Sequence, residues 1–173
     1  MTTTTPTSFR PAAIAPHVLR ELRDHDDAGV VPRPYALDPA GAPLRCCLRR
    51  SRADERISLV SYAPLRRWAA EAGAEPGAYD ETGPVFLHTG PCEGPDPSAG
   101  HPFAETGALR AFRRYTGEGH IAGGGIVRLP DDAGRAQEAV DEALRAAFAS
   151  PEVALVHVRA VEYGCFLYEV RRP

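Results

Sequence analysis

The clearest hydrophobic pattern lies near the C-terminus. Along residues 133–149, apolar side chains recur at helical spacing and trace one stripe made of Ala136, Ala139, Val140, Ala143, Leu144, Ala147 and Phe148. Asp131 or Asp132 can cap this helix at its start. Pro151 marks its end, because the residue before a proline is pushed out of the helical region. The pattern therefore predicts a long amphipathic helix with one buried face.

Shorter patterns predict the remaining elements. Helices are expected within residues 9–29 and over 64–75, where apolar residues recur at helical intervals. Strands are expected at six places, which are 44–49, 57–62, 84–88, 120–129, 153–161 and 165–171. The first two of these strands are expected to form a hairpin. Asp38-Pro39-Ala40-Gly41 has turn chemistry, residues 90–107 read as a long loop, and residues 109–115 fit a strand and a helix equally well.

These elements predict an α+β fold. We expect one domain over residues 9–173, built on a single mixed and mostly antiparallel sheet with a few helices. The segment 120–129, the helix after it and the strand 153–161 form a β-α-β unit if both strands join the same sheet. Residues 1–8 are rich in threonine and are expected to form a disordered tail.

Composition and charge exclude several classes of function. The chain has 173 residues and a net charge of -3, which argues against a general nucleic-acid binder. No apolar run approaches the length of a membrane-spanning helix, so we expect a cytoplasmic protein with four reduced cysteines. All 20 basic residues are arginine. Without lysine, neither a side-chain Schiff base nor a P-loop lysine is available.

Alternation in the last two strands predicts a polar pair. If the turn at 162–164 sets the register, His157 lies opposite Glu169, and Arg159 lies one step along the same face. A carboxylate beside an imidazole prepares it for acid–base work, and a nearby arginine could hold an anion. The alternative is a solvated ion pair, and a slip of one residue would separate the two side chains.

Two further residues are candidates for catalysis. His88 ends the short apolar strand 84–88 and faces the long loop, where catalytic groups often lie. Cys165 follows a glycine at the start of a strand and could act as a nucleophile beside an imidazole. The alternatives are a satisfied core histidine and a small buried apolar residue. We expect the imidazoles of His88 and His157 to share one solvent-reachable hollow.

Several short motifs resemble a bacterial domain-of-unknown-function family, number twelve-zero-three. They are Leu44-Arg45-Cys46-Cys47-Leu48, Ser61-Tyr62, Tyr79, Gly83-Pro84-Val85-Phe86-Leu87-His88 with Cys92, Arg114-Tyr115, His157 and Gly164-Cys165-Phe166. The resemblance covers roughly residues 40 to 172 and implies no agreed activity. Arg45, Tyr79 and Arg114 belong to these motifs and, together with Arg159 beside His157, are the candidate substrate-binding residues.

The chain departs from the family pattern at its first cysteine. That position holds Leu44, and the cysteine pair is Cys46-Cys47, whose side chains would point to opposite faces of a strand. This spacing weakens a zinc site. A site built from His88, Cys92, His157 and Cys165 is an alternative that nothing in the spacing demands.

These residues support two hypotheses. The first is an enzyme that carries out isomerase, lyase or cyclase chemistry on a small anionic metabolite, without an organic cofactor. Arginines would orient the substrate, and His88, His157 and Cys165 would move protons. The second is a non-catalytic module that binds a ligand or a metal, zinc or iron, with a homodimer as one arrangement. No nucleic-acid or membrane partner is expected.

Overall fold

The computed structural model describes residues 9–35 and 40–173. The expected tail at 1–8 and the start of the expected turn at 38–41 lie outside these ranges. Three α-helices are described, namely α1 (Pro16–Asp24), α2 (Pro64–Ala72) and α3 (Ala133–Phe148). The strands are β1 (Pro34–Tyr35), β2 (Pro43–Leu44), β3 (Arg49–Arg50), β4 (Ile57–Tyr62), β5 (Gly83–His88), β6 (Leu109–Thr116), β7 (Ile121–Arg128), β8 (Val153–Ala160) and β9 (Phe166–Arg171). The α+β class is confirmed.

The strands form two sheets, so the expectation of one sheet is wrong. Five strands pair in the order β1-β4-β5-β2-β3, and four pair in the order β7-β6-β8-β9. Residues 109–115, which the pattern left undecided, form β6. This strand lies antiparallel to both β7 and β8, so β7 and β8 run parallel on either side of it. The expected β-α-β unit therefore exists within one sheet, with β6 inserted between its strands.

The predicted strand over 44–49 is wrong, because the chain turns within this segment. Residues 45–48 form a tight turn between the short strands β2 and β3. The amide of Leu48 donates to the carbonyl of Leu44 at 2.9 Å, and Leu48 has a φ of 56°. A positive φ is uncommon for a leucine, and it reverses the chain within a segment whose alternation is typical of a strand. The expected hairpin with β4 does not form either, because β4 pairs with β1 and β5.

Helix α3 covers one face of the four-stranded sheet. Its buried residues are spaced about one turn apart and are Ala136, Val140, Leu144, Ala147 and Phe148. Asp132 caps the helix by accepting a hydrogen bond from the amide of Arg135 at 2.9 Å. This agrees with the predicted stripe and with the second of the two predicted caps.

A second core joins α1 to the five-stranded sheet. Leu22, Leu44 and Leu87 are completely buried there. The two sheets are linked by Arg45, whose Nε donates to the carbonyl of Phe166 in β9 at 2.8 Å. None of the described helices is long and apolar enough to cross a membrane.

Candidate metal centre

Cys46 and Cys47 lie in the turn between β2 and β3. A tight turn does not impose the alternating side-chain directions of a strand, and the two sulfur atoms are 3.9 Å apart. The prediction that the two side chains point to opposite faces is therefore wrong. Strand β2 pairs with β5 in parallel, with Leu44 opposite Phe86. This pairing places the turn beside His88, the last residue of β5.

Four potential ligand atoms meet at this point. They belong to Cys46, Cys47, His88 and Cys92, and all lie within 4.8 Å of one another. Nδ1 of His88 is 3.3 Å from the sulfur of Cys46 and 3.9 Å from the sulfur of Cys47. On a tetrahedral zinc ion, two thiolates would lie about 3.8 Å apart, and a thiolate and an imidazole nitrogen about 3.6 Å apart. The cluster could therefore hold a metal ion.

The other nitrogen of His88 is held by a carboxylate. Nε2 lies 3.2 Å from Oε1 of Glu55. Arg49 binds both oxygens of Glu55, and its Nη1 donates to Oε2 at 3.0 Å. A proton on Nε2 that is donated to Glu55 leaves the lone pair of Nδ1 directed at the sulfur atoms. Metal-binding histidines are commonly oriented by a carboxylate in this way.

The backbone also fixes His88. Its amide donates to the sulfur of Cys46 at 3.3 Å, and its carbonyl accepts from Nε of Arg23 in α1 at 3.1 Å. Three segments of the chain therefore hold His88, namely the turn at 45–48, helix α1 and the stretch that carries Glu55.

The thiols of Cys46 and Cys47 have pKa values shifted in opposite directions, because one donates a hydrogen bond to the other. The hydrogen bond from Cys46 lowers the pKa of Cys47 to about 6, and the backbone amide of Arg49 and the nearby His88 act in the same direction. The same hydrogen bond raises the pKa of Cys46, and burial raises it further. The hydrogen bond from Arg49 holds the pKa of Glu55 well below its usual range. These shifts favour the thiolate form of Cys47 and the charged form of Glu55.

The burial of Cys46 and Cys47 favours metal binding over a nucleophilic role for these thiols. Cys46 is 2% exposed and Cys47 is 6% exposed, whereas Cys92 is only partly buried. A nucleophilic thiol has to reach its substrate, and these two adjacent thiols are covered. A thiolate that binds a metal can be buried, because the ion compensates its charge.

The other residues of the predicted site lie elsewhere. Of the predicted alternative metal set, His88 and Cys92 belong to the cluster. His157 and Cys165 do not, because His157 lies in β8 and Cys165 precedes β9 in the other sheet. The sulfur of Cys165 lies 3.6 Å from the carbonyl of Tyr163.

The predicted register of His157 and Glu169 is confirmed, since the two residues face each other across β8 and β9. His157 is completely buried, between the rings of Tyr115 at 4.7 Å and Phe166 at 5.0 Å. Its Nε2 is 3.9 Å from Oε2 of Glu169, which is too long for a hydrogen bond. Burial lowers the pKa of His157 and raises that of Glu169. His157 and His88 therefore share no solvent-reachable hollow.

The predicted anion-binding residues are scattered. Arg45 is 2% exposed and donates to the backbone carbonyls of Pro43 and Phe166, and burial lowers its pKa to about 10. The guanidinium of Arg114 packs against the backbone at Gly123. Tyr79 is exposed and contacts the ring of His120 at 5.6 Å. The predicted roles of these residues in binding or catalysis stay predictions.

A cleft of about 460 Å³ occurs in another part of the molecule. Its lining includes Ile14, Tyr62, Trp68, Phe166, Glu169 and Arg171, and none of the four cluster residues takes part. Arg171 closes on Glu169 there through a hydrogen bond of 2.7 Å from Nε. The cleft and the thiol cluster are thus separate features, and the cluster is the one with a complete set of ligand atoms.

Sequence reasoning missed Cys46, Cys47 and Glu55 as partners of His88. The adjacent cysteines and the signature histidine were visible, but their proximity depends on the turn and on the parallel pairing of β2 with β5. Glu55 gave no signal, because it lies in a polar stretch that reads as a surface turn.

Comparison with known proteins identifies a family but no activity. A family model described as "Protein of unknown function (DUF1203)" matches residues 41–172. No curated protein and no solved structure shows significant similarity to the chain.

Proposed function

This chain belongs to DUF1203, a family of proteins of unknown function, and we propose from its geometry that it is a zinc-binding domain. The ion is held by the sulfurs of Cys46, Cys47 and Cys92 and by Nδ1 of His88. The observation that carries this proposal is that the four ligand atoms lie within 4.8 Å of one another although they come from three separate segments.

The chemistry of the ligands favours zinc. Three sulfurs and one imidazole form a soft, four-coordinate set that suits a tetrahedral ion, and such sets are typical of structural zinc sites. Mononuclear iron is the competing occupant, since it accepts the same ligands. Magnesium and calcium prefer oxygen ligands and do not fit this set.

The position of the cluster indicates what the ion does. It would join the turn at 45–48, the end of β5 and the beginning of the loop at 90–107. Four protein ligands fill a tetrahedron and leave no place for a substrate or a water molecule. The ion therefore stabilises the fold and anchors the loop. Glu55 and Arg49 assist by fixing the ring of His88 and its tautomer.

Elemental analysis of the purified full-length chain tests the proposal. The protein is produced under reducing conditions, and zinc and iron are measured against protein concentration in the wild type, in Cys46→Ser/Cys92→Ser and in the control Cys165→Ser. We expect one zinc per chain in the wild type and the control, and loss of the metal in the double variant. A wild-type chain that holds no stoichiometric metal after reconstitution with zinc would overturn the proposal, and stoichiometric iron would replace zinc as its occupant.

A further inference from the structure

Two arginines of the four-stranded sheet converge on one carboxylate oxygen. Nη1 of Arg113 in β6 lies 2.7 Å from Oε1 of Glu81, and Nη1 of Arg159 in β8 lies 2.6 Å from the same oxygen. In the sheet register, Arg113 lies opposite His157 and Arg159 lies opposite Ala111. Both arginines therefore project from the same face, two positions apart on neighbouring strands.

Glu81 accepts a directed hydrogen bond from only one of the two arginines and balances only part of their charge. Arg113 donates a directed hydrogen bond to Glu81, whereas Nη1 of Arg159 is buried without a directed partner among the described residues. Two guanidinium groups share one carboxylate, so the group keeps a net positive charge. Arg159 is held more firmly than the acid, since its Nε donates to the carbonyl of Gly164 at 3.0 Å and Glu81 is 41% exposed.

Further polar atoms without partners lie next to the two guanidinium groups. Both ring nitrogens of His157 are buried and have no hydrogen-bond partner within the described part of the chain. The hydroxyl of Tyr115, two positions from Arg113 on the same strand face, is buried close to the guanidinium of Arg113 without a well-directed bond. Burial raises the pKa of Tyr115, and the contact with Arg113 and the charges of Arg113 and Arg159 oppose that shift. Buried polar groups normally have partners, so these atoms indicate a site built for a polar ligand.

The strand beside Arg113 leaves this site open. Gly124 of the edge strand β7 lies directly opposite Arg113 and has no side chain to cover the guanidinium. Arg113 is accordingly 34% exposed, in contrast to Arg159 at 12%. A ligand can therefore approach from the β7 edge and reach the more buried arginine.

We propose that Arg113 and Arg159 form an anion-binding site for a small molecule, and that Glu81 occupies this site until a ligand oxyanion replaces it. The ligand carries a carboxylate or a phosphate group, since both present oxygens that two guanidinium groups can bind together. Tyr115 and His157 are completely buried while Glu81 is in place, and its displacement would let the hydroxyl of Tyr115 and a ring N–H of the neutral His157 donate to the oxyanion. This site lies in a different sheet from the metal centre and does not depend on it.

The test compares Glu81, which contacts the two arginines, with Glu118, which does not. Binding of inorganic phosphate and of succinate is measured by isothermal titration calorimetry at low ionic strength, with the full-length wild type, Glu81→Gln, Glu81→Gln/Arg159→Met and Glu118→Gln. Glu118 has an 82% exposed side chain and lies outside the arginine pair, so its variant makes the same change in net charge. Thermal melting checks that each variant is folded.

We expect Glu81→Gln to bind at least one of the two anions about tenfold more tightly than Glu118→Gln does, which corresponds to about 1.4 kcal/mol. Glu81→Gln/Arg159→Met should lose this binding, and the anion that binds more tightly identifies the class of ligand. Equal affinities of Glu81→Gln and Glu118→Gln for both anions would overturn the proposal. So would a folded Glu81→Gln/Arg159→Met variant that binds as tightly as Glu81→Gln.

Discussion

The Nδ1 atom of His88 lies 3.3 Å from the sulfur of Cys46, although the two residues are 42 positions apart in the chain. The turn between β2 and β3 and the parallel pairing of β2 with β5 create this proximity together. The amide of His88 donates to the same sulfur, so backbone and side chain both direct the cysteine toward the imidazole. The thiol cluster is therefore a built feature of the fold.

Single substitutions of the sulfur ligands should weaken metal binding. Cobalt(II) replaces zinc in such sites and gives thiolate absorption bands that report the number of sulfur ligands. We expect Cys46→Ser, Cys47→Ser and Cys92→Ser each to reduce these bands and the affinity for the ion, because a hydroxyl is a poor substitute for a thiolate. Cys165→Ser should have the spectrum of the wild type. If Cys165→Ser lost the bands and Cys92→Ser kept them, the assignment of the ligands would be wrong.

Removing the charge of Glu55, whose carboxylate contacts His88, should also weaken metal binding. Glu55→Gln leaves the four ligands intact but removes the carboxylate that orients the ring. We expect a loss of zinc affinity of about 10- to 100-fold, measured by competition with a chelator of known affinity. Glu71→Gln is the matched control, because Glu71 pairs with Arg171 and does not contact the cluster. Equal affinities in the two variants would exclude a role for Glu55.

The metal-free protein should contain one unusually acidic thiol. Ultraviolet absorbance of thiolates is expected to show one group that titrates with a midpoint near the pKa of about 6 of Cys47. Cys47→Ser should abolish this transition. Cys46→Ala should move it to higher pH, because the hydrogen bond from Cys46 is the largest cause of the lowered pKa and alanine has no donor. A midpoint that does not change in Cys46→Ala would contradict the assigned cause.

Burial of His157 should make the protein sensitive to acid. The folded state lowers the pKa of His157 well below its ordinary value of 6.5, so below that pH the unfolded chain binds a proton that the folded chain refuses. This residue should therefore reduce the free energy of unfolding by up to about 1.4 kcal/mol for each pH unit below 6.5. Denaturant unfolding at several pH values measures the slope.

His157→Phe should flatten that slope, because the ring is kept and the titrating group is removed. Phe112→Leu is the control, since it perturbs a buried core residue that does not titrate. It should lower the free energy of unfolding by a similar amount at every pH. An unchanged slope in His157→Phe would mean that His157 is not the acid-sensitive group.

Local patterns were sufficient for part of this fold. The stripe of α3 follows from periodicity, which is a property of neighbouring residues. His157 lies opposite Glu169 as predicted, but the short turn alone does not produce this pairing. Next to the turn Arg159 lies opposite Phe166, and a bulge between Val158 and Arg159 brings His157 opposite Glu169. Alternation alone gives no sign of such a bulge.

The geometry of the metal cluster depends on features that the alternation of apolar and polar residues does not reveal. Leu44 to Arg49 alternates in the manner of a strand, but residues 45–48 form a turn in which Leu48 has a positive φ. The division into two sheets depends on contacts between distant segments, such as the bond from Arg45 to the carbonyl of Phe166. For these reasons the sequence pointed to His88 and Cys92 but not to their partners.

X-ray absorption at the zinc edge tests the central proposal most directly. With zinc bound to the full-length chain, we predict three sulfur neighbours at about 2.3 Å and one nitrogen at about 2.0–2.1 Å. A coordination shell made only of oxygen and nitrogen, or a chain that takes up no zinc, would contradict a zinc site at Cys46, Cys47, His88 and Cys92.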